Sequence, residues 1–93
     1  MKPRLRRNEQ ASRFELELDG EVAGFINYRE SGGRLHLVHT EVSPSHEGKG
    51  LGGELARFAL EEARGAGKQV VASCSFVAGW IERHPEYQPL VAG

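Results

Sequence analysis

The chain has 93 residues, of which 39% are apolar and 27% charged, with a formal net charge of −1. A chain of this length buries only somewhat more than about 60% of its unfolded surface, which leaves room for one core and excludes a bulky two-domain enzyme, while the apolar content excludes a disordered chain. No apolar run approaches the ~20 residues that cross a bilayer, and the single cysteine, Cys74, excludes an internal disulfide or a cysteine metal cluster within the chain.

One domain over residues 1–93 is therefore expected, cytoplasmic, with no bound metal and no membrane partner. Lys2, Arg4, Arg6 and Arg7 open the chain, and the rest carries eight cations against thirteen anions. An acidic body argues against nucleic acid as a partner. Residues 1–8 read as a flexible basic terminus in solvent.

From Ser12 the pattern "SRFELELDG" alternates. Phe14, Leu16 and Leu18 fall on one face and Arg13, Glu15 and Glu17 on the other, the mark of a half-buried strand. Asp19-Gly20 signals a hairpin turn. "EVAGFINYRE" supplies a second strand through Val22, Ile26 and Tyr28. After Ser31-Gly32-Gly33, "RLHLVHTEV" supplies a third through Leu35, Leu37, Val38 and Val42.

The period then changes from two to that of a helix. Leu51, Leu55, Phe58, Ala59 and Ala63 form an apolar stripe that ends at Gly65 and Gly67. "KQVVASC" is a short buried strand, and the strand-helix-strand connection predicts that it lies parallel to its neighbour. "FVAGWIERHPEY" predicts a second helix ending before Pro85. The order β-β-β-α-β-α predicts an α+β fold, an α/β sandwich built on one mixed sheet whose amino-terminal part is an antiparallel meander.

Four of the twelve glycines, Gly48, Gly50, Gly52 and Gly53, fall within six positions just before the first helix. A helix amino terminus presents unpaired N–H groups and a partial positive charge, and glycines let an anion come close to them. With Lys49 among them, they read as a phosphate cradle. Gly48, Gly50 and Gly53 also satisfy G-x-G-x-x-G, but the acid that a dinucleotide site needs about 20 positions on is absent, Ser73 and Cys74 standing there instead. The Lys-Ser/Thr ending of a nucleotide-triphosphate loop is absent too.

The segment "HTEVSPSHEGKGLGGELARFALEEAR" resembles the acetyl-coenzyme A signature of the GNAT N-acetyltransferases, [RQ]-x-x-G-x-[GA] after a strand ending in "V.P". Glu47-Gly48-Lys49-Gly50-Leu51-Gly52 matches it except at Glu47, where the family carries Arg or Gln. "HTEV", "EGKGLG" and "CSFVAGWIERHPEY" together resemble the small, single-domain YjdJ-type proteins of that superfamily over roughly residues 12 to 91.

The resemblance implies a minimal GNAT fold and acetyl-coenzyme A (acetyl-CoA) as co-substrate. The cofactor would bind in a notch between two splayed parallel strands, its pyrophosphate on Gly48, Lys49, Gly50, Leu51, Gly52 and Gly53 and its pantetheine arm along Glu41, Val42 and Ser43. The implied activity is acetyl transfer to a primary amine, on a small molecule or a protein lysine. A coenzyme A-binding sensor or interaction module without turnover is the alternative that so small a chain keeps open.

Two side chains are the catalytic candidates. His39, late in its strand, has an imidazole able to accept the ammonium proton. Cys74 lies where the thioester is expected, at the start of a helix whose field lowers a thiol pKa. Tyr87, in "WIERHPEY", combines an apolar body with an acidic hydroxyl, and that motif reads mainly as core closure.

Overall fold

The computed structural model describes residues 3–92. Five strands form one sheet in the spatial order of the sequence: β1 (Arg4–Asn8), β2 (Arg13–Leu18), β3 (Glu21–Ser31), β4 (Arg34–Val42) and β5 (Gln69–Ala72). The first four pair antiparallel, and β5 runs parallel to β4. Helix α1 (Leu51–Gly65) joins β4 to β5, and α2 (Ser75–Arg83) with a 3₁₀ segment, Pro85–Leu90, completes the chain. The α+β sandwich read from the sequence is the one observed, with one strand more.

That strand corrects the reading of residues 1–8 as a flexible terminus. Residues 4–8 pair with β2, Arg4 opposite Glu17 and Arg6 opposite Glu15, while Leu5 lies opposite Leu16 and packs on the core. Opposite charges directly across an antiparallel pair stabilise it, and a strand held this way lacks the apolar alternation by which strands are recognised. Lys2 lies outside the described residues.

The Asp19-Gly20 turn is as expected. Both residues have positive φ, 54° and 79°, which matches the twist of the strands it joins. Phe14, Leu16, Ile26, Tyr28, Leu35 and Leu37 point to the helix-bearing face and meet Leu55, Ala56, Ala59, Leu60 and Ala63 of α1, all of them buried. Three alanines on the inner face of α1 let it lie close to the sheet, and burying each large apolar side chain contributes about 1.5–3 kcal/mol. Leu18 and Phe58, also expected inside, are half-buried at the margin of this core.

Glu15 departs from the expected solvent face: only 1% of it is exposed. Arg6, Asn8 and Arg13 close over its carboxylate on the face away from α1, with Arg6 Nε, Asn8 Nδ2 and Arg13 Nε donating at 3.0, 3.1 and 2.5 Å. Burial pushes the carboxyl pKa up, but the hydrogen bonds from Arg13, Asn8 and Arg6 outweigh it and hold the group below the usual glutamate value.

Candidate active site

The four clustered glycines do two different jobs. Gly48 and Gly50 have φ of +84° and +74°, and a Cβ added at either would meet nothing within 4 Å. Gly50 caps α1 in the left-handed conformation. Glycine is needed there for the backbone, and the space above it is open. Gly52 and Gly53 lie inside the helix, where a Cβ would come within 2.7 Å of the Phe76 ring and 3.1 Å of Trp80 Nε1. They are needed because α2 packs against the first turn of α1.

The first bond to a helix amide runs from Glu54 N to Gly50 O at 3.3 Å. None of the amides from Gly48 to Gly53 makes a hydrogen bond of standard geometry to another described residue. A hollow of about 250 Å³ adjoins them, bounded by Val42, His46, Glu47 and Phe76. Lys49 lines a neighbouring hollow instead, with Asp19, His46 and Glu54. Free amides at a helix start, an open approach and the helix dipole suit an anion, and Glu47, where the family pattern has Arg or Gln, leaves those backbone donors in place.

Beside the loop, β4 separates from β5. Their pairing ends at Leu37 opposite Ala72, where Cys74 N donates to Leu37 O at 2.9 Å. At that point β4 carries a bulge, since Asn27 faces His39 but Tyr28 faces Leu37, which leaves Val38 as the extra residue. Ser43 N donates to Ala23 O at 2.7 Å. By the alternation of an antiparallel ladder, His39 and Glu41 then turn their backbone groups toward β3, and Thr40 and Val42 turn theirs toward the open notch. Of the three residues expected to present backbone to an extended ligand, Val42 turns its backbone toward the notch, while the amides of Glu41 and Ser43 face β3.

Residues 13–90 match the family of GCN5-related N-acetyl-transferases. The chain belongs to this family. Its fold superposes on the solution structure of a GCN5-like protein from Staphylococcus aureus with a TM-score of 0.74 at 27% identity, covering 97% of this chain and 88% of that one. A GNAT family acetyltransferase from Brucella melitensis, solved in complex with acetyl-CoA, matches with a TM-score of 0.61 at 26% identity over 82% of this chain and 54% of its own. Streptothricin acetyltransferase of Streptomyces lavendulae is 43% identical over 51 residues, 53% of this chain. The chain spans 27% of that curated relative's length.

Within this GNAT domain the two catalytic candidates stand on opposite faces of β4. Cys74 Sγ lies 3.3 Å from Thr40 Oγ1, on the core side of the notch. Burial raises the Cys74 pKa, but the Thr40 hydroxyl and the amides of Val77, Phe76 and Thr40 more than offset it, and the thiol falls below its ordinary value. The sulfur accepts no cap hydrogen bond of standard geometry, so the amides of α2 act through their field. His39, one residue along from Thr40, projects to the other face. Its Nε2 lies 3.3 Å from Glu41 Oε1, and its ring centroid is 6.3 Å from that of Phe25. Among the described residues no three His, Cys, Asp or Glu side chains gather as metal ligands, and no helix is long and apolar enough to cross a membrane.

The "WIERHPEY" segment braces the domain. Trp80 and His84 stack with centroids 3.8 Å apart, and His84 Nδ1 donates to Trp80 O at 2.8 Å. The buried Tyr87 hydroxyl donates to Glu61 Oε2 at 2.7 Å, which with burial raises its pKa. Its proton is committed to α1, which makes it a poor acid for the notch. Thr40, Phe76 and the Val38 bulge escape a reading of the sequence. Phe76, 39% exposed beside the loop, had a signal in its spacing, one turn ahead of Trp80 on the same face of α2.

Proposed function

We propose that the chain is an acetyl-CoA-dependent N-acetyltransferase acting on a primary amine. The observation that carries this reading is the row of six unpartnered amides from Gly48 to Gly53 beside the unpaired edge of β4. The residues fit such a ligand: the amides suit a pyrophosphate, and the Thr40 and Val42 backbone suits the amides of a pantetheine arm. When bound, acetyl-CoA supplies the activated acyl carbon.

In the transfer, the carbon–nitrogen bond forms as the carbon–sulfur bond breaks, the ammonium loses protons to solvent or base, and the sulfur leaves as thiolate and ends as thiol. In this reading His39 takes the ammonium proton from the outer face, a role supported by its contact with Glu41, which orients the ring. Cys74 and Thr40 wall the notch from the core side. Alignment of amine and thioester supplies the rest.

Titration calorimetry with acetyl-CoA tests the reading; absence of heat at near-millimolar ligand overturns it. Binding without turnover over a broad amine panel leaves a coenzyme A-binding module instead. Mass spectrometry after incubation with acetyl-CoA reads the role of Cys74, since an acetyl adduct lost in Cys74→Ala marks a nucleophile and its absence a pocket wall. His39→Ala is expected to lower turnover at neutral pH with little change in acetyl-CoA affinity.

A further inference from the structure

The face of the sheet away from α1 has a hollow of about 260 Å³, lined by Arg13, Val22, Phe25, Glu41 and Ser43, of which the proposed function uses only Glu41. It owes its shape to a second bulge. Glu17 lies opposite Val22 while Leu16 lies opposite Gly24, so Ala23 is the extra residue of β3. Directly opposed residues share a face, and Val22 and Phe25 therefore both stand on the face of Glu15 and Glu17, with the concavity between them.

The two walls carry opposite charge. On one, Arg13 is clamped: its Nε bonds Glu15 at 2.5 Å, and its guanidinium carbon sits 4.6 Å over the Phe25 ring. Glu15 is also held by Arg6 and Asn8. Neither Nη of Arg13 has a partner among the described residues. A guanidinium fixed at Nε and stacked on an aromatic ring presents its remaining N–H groups in a fixed plane suited to a carboxylate. On the other wall, the Glu41 carboxylate is 63% exposed, with His39 as its contact.

Arg13 and His39 both lie opposite Asn27 on β3, one on each side. Two strand spacings, about 10 Å, separate their backbones, and Phe25 stands between the two side chains, its ring 4.6 Å from the Arg13 guanidinium carbon and 6.3 Å, centroid to centroid, from the His39 ring.

We infer that this hollow is the acceptor site and that the acceptor is an amino-carboxylate. Its carboxylate pairs with the Arg13 Nη groups, its carbon chain lies on Phe25, and its amine is directed toward His39 and Glu41. The inference rests on the transferase reading for the fate of that amine, but the binding it requires is measurable without turnover.

Matched probes with and without the carboxylate are titrated into ¹⁵N-labelled protein: L-lysine against cadaverine, and 4-aminobutyrate against n-propylamine. The carboxylate-bearing member of each pair is expected to shift the amides of Ala23, Phe25, Glu41 and Ser43 and to bind about ten- to a hundredfold more tightly than its partner, the range of a charge-assisted hydrogen-bonded pair. Arg13→Gln removes that gap, and Arg13→Lys restores part of it. Equal binding within pairs, tighter binding of the carboxylate-free amines, shifts elsewhere in the protein, or no shift with any probe overturns the inference.

Acetyl-CoA is titrated into the same samples. Its shifts at residues 48–53 report that each variant is folded. Loss of those shifts in the wild type defeats the transferase reading, whereas loss of the within-pair gap alone defeats the acceptor.

Discussion

Two polar regions of this domain handle hydrogen bonding in opposite ways. Around Glu15 every strong acceptor is satisfied by the chain itself: one nearly inaccessible carboxylate takes bonds from Arg6, Asn8 and Arg13. Around Gly48 to Gly53 the backbone donors make no hydrogen bond of standard geometry within the described residues. Buried polar groups in folded proteins are almost always paired, so the saturated cluster is scaffold, while the amides at the start of α1 stay available to an outside acceptor. The contrast explains why the first region is built of side chains and the second of residues with almost none.

The largest expected effect breaks the saturated side. Glu15→Ala leaves Arg6 and Arg13 facing each other over a void. Losing one member of a buried pair costs 3–5 kcal/mol in general; since Arg6 and Arg13 keep 55% and 30% side-chain exposure, about 2 kcal/mol is expected here after solvent screening. Urea unfolding measures it, and a change below the error of extrapolation would show that β1 is not held through this carboxylate.

The sign of the pH dependence follows from the lowered folded pKa of Glu15. Its contribution is fully present above the unfolded value, about 4.3, and is lost as pH falls through the lower folded value. The gap between wild type and Glu15→Gln therefore narrows on acidification through that window. A gap that widens would reverse the assignment.

On the open side, Gly50→Ala and Gly52→Ala separate the two jobs of the glycines. Alanine at Gly50 must adopt φ near +74°, at a cost of about 1–2 kcal/mol. A loop that relaxes to avoid that cost misaligns its amides, and acetyl-CoA affinity is expected to fall about tenfold. Alanine at Gly52 instead meets the Phe76 ring at 2.7 Å, an overpacking cost of about 1 kcal/mol. Phe76→Ala relieves the second substitution and not the first, and a double-mutant cycle on stability reads the difference. Equal relief of both would remove the distinction.

The same contrast decides what was legible beforehand. The alternation of Phe14, Leu16, Ile26 and Leu37 and the stripe from Leu51 to Ala63 are patterns of burial, and burial repeats with the period of the backbone. The glycine loop was legible because four glycines within six positions, just ahead of an apolar helical stripe, exceed what a simple turn requires. β1 was not, because Arg4 to Asn8 are held by partners on β2 rather than by an apolar face of their own. Nor were the bulges at Ala23 and Val38, which arise from how two strands register and leave no mark in either alone. The bulge at Val38 decides that Thr40 faces Cys74 while His39 turns outward, so the candidate residues could be named from the sequence while their relation across β4 could not.

The smallest effect tests that relation at the notch. Thr40→Val keeps the shape of the side chain and removes the hydroxyl that favours the Cys74 thiolate. The thiol pKa then rises toward its ordinary value, the thiolate fraction at neutral pH falls, and alkylation by iodoacetamide is expected to slow about threefold. Acetyl-CoA should protect Cys74 in both proteins if its thioester end reaches the notch. His39→Ala should leave the alkylation rate unchanged, because the imidazole lies across β4 from the sulfur. A slower rate in His39→Ala would mean that the two side chains share one face of the site, and would undo the division between the core side of β4 and its outer side.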